Sequence, residues 1–321
     1  MVLLRHWAAK IDIVDAPDLQ LVLPARKEMV QNAALEALRA AVRRVIYQHI
    51  QSLESHRLSF EQWREAAELG IILPEARAEL IAWTPARADY NSSSGDTSWV
   101  PANDAMLVDH FGAPLEQCAN FAMTRDGRLK GRLADADEAM SGYGWYDRLP
   151  RITGLCFEIE RADETFVLDE TELPGVESGP VDRLDLVLTI SGTAPETYRI
   201  PAPVAIEYDE GQCWNFEEAN VLLASPDAVS PSELVDLLDD ACFCSSDDRE
   251  ADSWETQHDR FLLDAQEMAT RILLGDEAAL FERLRAILAY RTQWFVPEGS
   301  RFVAIIGRNE MDVRIEPVPA A

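Results

Sequence analysis

The chain has 321 residues, 47% of them hydrophobic, with 57 acidic and 29 basic side chains for a formal net charge of −28. That length allows two or three domains with real cores. It holds no run of about 18 apolar residues to span a membrane, and the carboxylates concentrated in the C-terminal half argue against nonspecific nucleic-acid binding through that half, since such binding needs positive charge. Lysine is confined to Lys10, Lys27 and Lys130, so a P-loop lysine or a Schiff-base lysine is excluded after residue 130.

In chain order, residues 8–23 alternate as a strand pair: Ile11, Ile13 and Val14, a turn at Ala16-Pro17-Asp18, then Leu19, Leu21 and Leu23. A long helix is predicted over about residues 25–53. Its buried stripe is Val30, Ala34, Leu35, Leu38, Ala41, Val42, Val45, Ile46 and His49, with His49 a core histidine, and Arg39, Arg43 and Arg44 face solvent or a partner. Residues 59–70 read as a compact helix with a capping box at Ser59 and Gln62, anchors at Phe60 and Trp63, and Gly70 as its end. Residues 84–104 are rich in Pro, Ser, Asn and Gly and read as a linker.

Pro114 opens a short helix over residues 115–123. The one basic run follows, with Arg125, Arg128, Lys130 and Arg132 around Asp126-Gly127, a hairpin-turn signal. It reads as a solvated hairpin tip, or as a loop touching a phosphate or a partner. The glycine-aromatic stretch 142–147 reads as a core plug under a glycine turn. Residues 152–209 alternate as antiparallel strands. Helices follow at residues 230–244, 253–274 and 276–296, and then strands at 302–307 and 311–315. Strands in a run followed by helices in a run indicate an α+β fold, with expected units at residues 1–86, a linker at 87–104 and an acidic domain at 105–321.

The charge is uneven. Residues 1–90 carry 11 basic and 12 acidic groups, whereas residues 151–321 carry 13 and 36, a net of −23. Such a surface solubilises, or docks on a basic partner. Five scattered cysteines, an odd number, read as free thiols. Arg5 interrupts the N-terminal apolar stretch before a signal-peptide core forms. Both point to a reducing cytoplasm.

The stretch 230–261 concentrates ligand types. Ser230, Pro231 and Glu233 make a capping box for its first helix, and a second helix is predicted to start near Asp252. The loop between carries Cys242, Cys244, Asp247 and Asp248, with His258 beyond. These are possible metal ligands, but structural zinc sites repeat their ligand pairs, and here a single C-x-C stands alone. The plainer reading is a solvated acidic loop whose carboxylates favour the next helix N-terminus, with cysteines as small buried apolar groups.

The segment KIDIVDAPDLQLVLPARKEMVQNAALEALRAAVRRVIYQHI, followed by HRLSFEQWREAAELGIILPEA, resembles a region of bacterial proteins of the histidine-kinase, gyrase and Hsp90-type (GHKL) ATPase superfamily. There it lies downstream of the nucleotide-binding domain. The likeness covers about residues 8–85. Glu28 and Asn32 have the four-residue spacing of that superfamily's first ATP motif, but no DxGxG and no glycine-rich lid follow, so no catalytic residue is carried over. The resemblance implies a regulatory, partner-binding portion that couples nucleotide state to a partner, with ATP and Mg²⁺ held by a separate domain encoded upstream. Two other readings stand beside it: an acidic module docking on a basic protein, and a metal-dependent hydrolase built on the 242–259 loop.

Overall fold

The computed structural model describes residues 2–4, 7–12, 14, 16–19, 30–88, 98–169, 176–192, 195–207, 221–245, 253–292, 296–306 and 311–317. The fold is α+β, and its elements follow the expected order from residue 151 onward. The N-terminal strand pair is displaced. An antiparallel hairpin joins β1 (Val2–Leu4) to β2 (Trp7–Ala9), while residues 10–12 and 16–19 are not strand. Ile13, Leu21 and Leu23 lie outside the described residues.

Helix α1 spans Ala33–Gln51, not 25–53, because Asn32 caps it, its side chain accepting from the Leu35 N–H at 2.9 Å. Its buried residues are Leu35, Ile46, Tyr47 and Ile50. Leu35 and Ile46 are thus buried as predicted and Ala34, Leu38 and Val42 half-buried, but toward its C-terminal end the stripe is rotated by one position. Val45 and His49 are exposed, and the expected core histidine instead meets Trp7 edge-on at the surface, 5.6 Å between ring centroids. The rotation follows from α2 (Phe60–Glu68), where Glu65 receives the Tyr47 hydroxyl at 2.5 Å and Arg43 at 2.7 Å. Helix α2 has the predicted Ser59–Gln62 capping box. It ends in a Schellman motif: Gly70 sits at φ +76°, its N–H reaches the Ala67 carbonyl, and the Ile71 N–H reaches Ala66. Leu58, Ala66, Ile71 and Leu73 close a small core with α1.

Strand β3 (Glu79–Ile81) pairs antiparallel with β4 (Trp99–Pro101). The expected linker thus ends in a strand, and its other end, residues 84–88, is bonded to the rest of the fold. The main sheet contains β5 (Met106–Val108), β6 (Leu133–Asp135), β7 (Arg151–Arg161), β8 (Glu164–Leu168), β10 (Arg183–Ser191) and β11 (Glu196–Pro201), in the order β11-β10-β7-β5-β6, with β8 also on β7. A second sheet joins β12 (Val204–Glu207), β13 (Val221–Ala224) and β9 (Gly179–Pro180). Strands β5 and β6 are parallel, and β5 is parallel to β7. Helix α3 (Ala113–Met123) connects β5 to β6, so a βαβ unit precedes the antiparallel sheet.

Register explains the core. On β10, Leu184, Leu186, Leu188 and Ile190 all face inward and are buried. Their β7 partners are Ile159, Phe157, Leu155 and Ile152. The parity of β7 changes because Thr153 is an extra residue opposite the Thr189/Ile190 step, a β-bulge that leaves Thr153 exposed. The opposite face of the sheet is charged, with Arg199 on Glu158 and Arg183 on Asp185 at 2.5 Å. The inward face packs on α3, α4 (Pro231–Cys242) and α5 (Trp254–Leu274) in one continuous core. Each fully buried Leu, Ile or Phe there contributes roughly 2–3 kcal/mol.

Helix α4 has the predicted Ser230–Glu233 capping box. Ser253, accepting from the Thr256 N–H, caps α5 in place of the predicted start near Asp252. Helix α6 (Asp276–Thr292) lies against α5, and β14 (Ser300–Ile306) pairs with β15 (Met311–Pro317). No helix among the described residues is long and apolar enough to cross a membrane.

Candidate functional site: an anionic cleft at the ends of two parallel strands

Crevices beyond the carboxyl ends of parallel strands, where the chain departs in different directions, are the usual ligand sites of such sheets. Here β5 ends at Val108 and runs into Asp109-His110, and β6 ends at Asp135 and runs into a short turn through Met140. Across from them stands the β3–β4 hairpin. Between these walls lies a cleft of about 310 Å³ lined by Glu79, Ile81, Trp99, His110, Asp135 and Glu138 among others. None of its lining side chains is a hydroxyl, thiol or amine.

Beside the cleft, next to its lining residue His110, lies Glu116, in the first turn of α3 and only 1% exposed. Its Oε1 accepts from the Phe111 N–H at 2.9 Å and lies 3.5 Å from His110 Nδ1, and its Oε2 accepts from the Ala86 N–H at 2.7 Å. Gln117 Nε2 donates to the Ala86 carbonyl at 2.8 Å. This clasp holds residues 84–88 against the end of the sheet, and the Thr84 backbone in turn donates to Asp135. Burial holds the Asp135 carboxyl above the usual aspartate range, partly opposed by His110 and that backbone bond.

The other acids are partly compensated. Glu79 takes Arg57 and Arg77, each at 2.8 Å, and the Arg57 guanidinium also lies 4.2 Å above the Trp99 ring. Arg151 bridges Asp109 at 3.6 Å and Glu138 at 3.4 Å, and donates to the Tyr146 hydroxyl at 3.1 Å. Beneath the turn, Tyr143 and Tyr146 are buried with Phe60 and Trp63, as a core plug; Gly142 sits at φ +109°, and a Cβ there would strike the Phe60 ring. The arrangement suits a cationic group: carboxylates at the mouth, an aromatic face, and a histidine at the rim.

The basic run is not a hairpin tip. It is a turn between α3 and β6, because Asp126 Oδ1 accepts from the N–H groups of Arg128 and Leu129 and wraps the chain on itself. Its cations are not gathered for a phosphate. Arg125 pairs with Glu233 at 3.1 Å, Arg128 pairs with Glu196, and Arg132 donates to the Asp104 carbonyl at 2.7 Å. Lys130 is exposed. On α1, Arg39 pairs with Glu36 at 2.6 Å and Arg43 with Glu65 at 2.7 Å, far along the chain from that turn.

Of the metal candidates, His258 lies beside Phe243, the residue between the two cysteines, with ring centroids 4.8 Å apart. Cys242 ends α4 inside the core near Cys118, both fully buried, while Cys244 is half-buried in the following segment. Burial raises both buried thiols, Cys118 to about 12. The predicted shared direction of Cys242 and Cys244 required extended chain, and Cys242 is helical. His258 Nε2 meets Asp239 Oδ1 at 2.8 Å and its ring stacks on Trp254 at 4.6 Å, tying α5 to α4. Asp247 and Asp248 lie outside the described residues. Among the described residues no group of three or more His, Cys, Asp or Glu is placed to hold a metal ion.

His110, Glu116 and Asp135 were not legible as a site because β5 and β6 are three residues each, too short to show a period. The available signal was an apolar triplet ending in Asp-His just before the Pro114 helix start. Compared with protein-family models, with characterised proteins and with solved structures, the chain has no match.

Proposed function

We propose that this chain is a docking module, non-catalytic on its own, whose acidic surface and cleft receive a basic segment of a partner protein. The observation that carries this reading is how the cations are used. Arg39, Arg43, Arg125 and Arg128 each sit on a carboxylate of the same chain, so the surplus of −28 is presented outward. The cleft lining supplies carboxylates, the His110 imidazole and an indole face, a set suited to a cationic group. The resemblance across residues 8–85 makes a GHKL-type ATPase the first partner to test, with this chain sensing and passing on its nucleotide state, and with ATP and Mg²⁺ bound by that polypeptide. Unbridged cysteines at 118, 156, 242 and 244 support a reducing, cytoplasmic setting. The hydrolase reading of the 242–259 loop has less to stand on, since Cys242 is in the core.

The test is fluorescence anisotropy of a labelled arginine-rich peptide against the full chain at several salt concentrations. Binding should weaken about tenfold or more between 50 and 300 mM NaCl, because exposed charges are screened over roughly 6–14 Å in that range. It should weaken further in Asp135→Asn/Glu138→Gln, with a neutral peptide of equal length not bound. Salt-independent binding, or equal binding of the neutral peptide, refutes docking by charge. Calorimetric binding of Mg-ATP to the isolated chain refutes the non-catalytic assignment.

A further inference from the structure

The first ten residues of helix α6 present large apolar side chains outward. Of its first ten residues, Ala279 is buried at 3% exposure, while Leu280, Phe281 and Leu284 are exposed at 59%, 66% and 45%. At 100° per residue these three fall within one 100° arc, opposite the alanine that packs on α5. A surface helix normally does the reverse, and clustered large apolar groups facing water mark an interaction surface.

Charge identifies the occupant. Residues 151–275 carry 7 basic and 29 acidic groups, but residues 276–317 carry 6 and 7. A basic partner is drawn to the first stretch and gains little from the second. A second copy, carrying the same −28, is repelled by the acidic stretch and least where charge is balanced; α6, with three basic and three acidic groups, is such a place, and it also carries the exposed apolar residues. The helix is also self-complementary. Asp276 and Glu277 lie at its N-terminal end, and Arg285 lies about one turn beyond Phe281. Two copies crossing antiparallel at Phe281 set Glu277 of one opposite Arg285 of the other, twice, and oppose the helix dipoles. Among the described residues Arg285 pairs with Glu282 at 3.3 Å, both ends solvent-accessible, so it is able to switch partner.

We infer that α6 is a two-fold homodimer interface, with Leu280, Phe281 and Leu284 at its centre and reciprocal Glu277–Arg285 pairs at its edges. The inference is independent of the basic partner, which is assigned to the cleft and the acidic stretch and not to α6.

Sedimentation velocity of the full chain, up to about 200 μM because one helix pair is small for a specific interface, tests it. The expected result is a species approaching twice 35.9 kDa. Phe281→Glu/Leu284→Glu should return it to monomer with unchanged far-UV circular dichroism. Glu277→Arg and Arg285→Glu should each weaken dimerisation about fivefold or more, and the double reversal should restore it, as only a reciprocal contact between copies would. A wild-type chain that stays monomeric over this range overturns the inference. So does a dimer indifferent to the Phe281/Leu284 variant, or charge reversals that add instead of compensating.

Discussion

Replacing Glu116 probes whether the clasp beside the cleft is a built structure. In Glu116→Ala the N–H groups of Phe111 and Ala86, now bonded at 2.9 and 2.7 Å, lose a charged acceptor inside the protein. Each orphaned donor costs roughly 1–3 kcal/mol, and the one lost methylene adds roughly 0.8 kcal/mol. Relief from burying a carboxylate offsets part of this. The expected net loss is about 2–4 kcal/mol, against about 1–2 kcal/mol for Glu116→Gln, whose amide oxygen still satisfies one donor while its NH₂ opposes the other. Urea unfolding measures the total, and amide hydrogen exchange at Ala86 and Phe111 localises it. Because Thr84 donates to Asp135, releasing residues 84–88 should also weaken peptide binding in the cleft. A Glu116→Ala protein within about 0.5 kcal/mol of wild type, with Ala86 still protected, would show that the clasp contributes nothing and that the argument for a preorganised cleft fails.

Two further outcomes follow from burial and pH. Cys118 and Cys242 should resist a thiol reagent at pH 8 in the folded protein and react only on unfolding, whereas the half-buried Cys244 reacts natively; mass mapping of the labelled cysteines that finds Cys118 or Cys242 modified first contradicts the core assignment. Burial and the bond to Glu65 hold the Tyr47 phenol far above its ordinary value near 10. The unfolded chain then ionises first, so this stabilisation is complete below pH 10 and is lost as pH rises above it. Tyr47→Phe should flatten the alkaline fall in urea stability, and an unchanged profile would refute it.

Much of this fold is written locally. The Ser59–Gln62 and Ser230–Glu233 capping boxes, Gly70 as a helix terminator, and the alternating leucines of β10 each lie within a few residues of the partner that defines them. Sequence therefore determined the α+β class, the antiparallel run, the helix block and the uneven charge. Tertiary contact decided what sequence spacing cannot encode. The rotation of α1 depends on Glu65 of another helix, and the strand status of Met106–Val108 and Leu133–Asp135 on pairing with each other and, for β5, with β7. The dispersal of the basic run depends on carboxylates 68 and 108 positions away. The cleft belongs to this second kind. Its carboxylates, histidine and indole come from distant segments, and only burial, which fixes Glu116 and raises Asp135, makes them one environment.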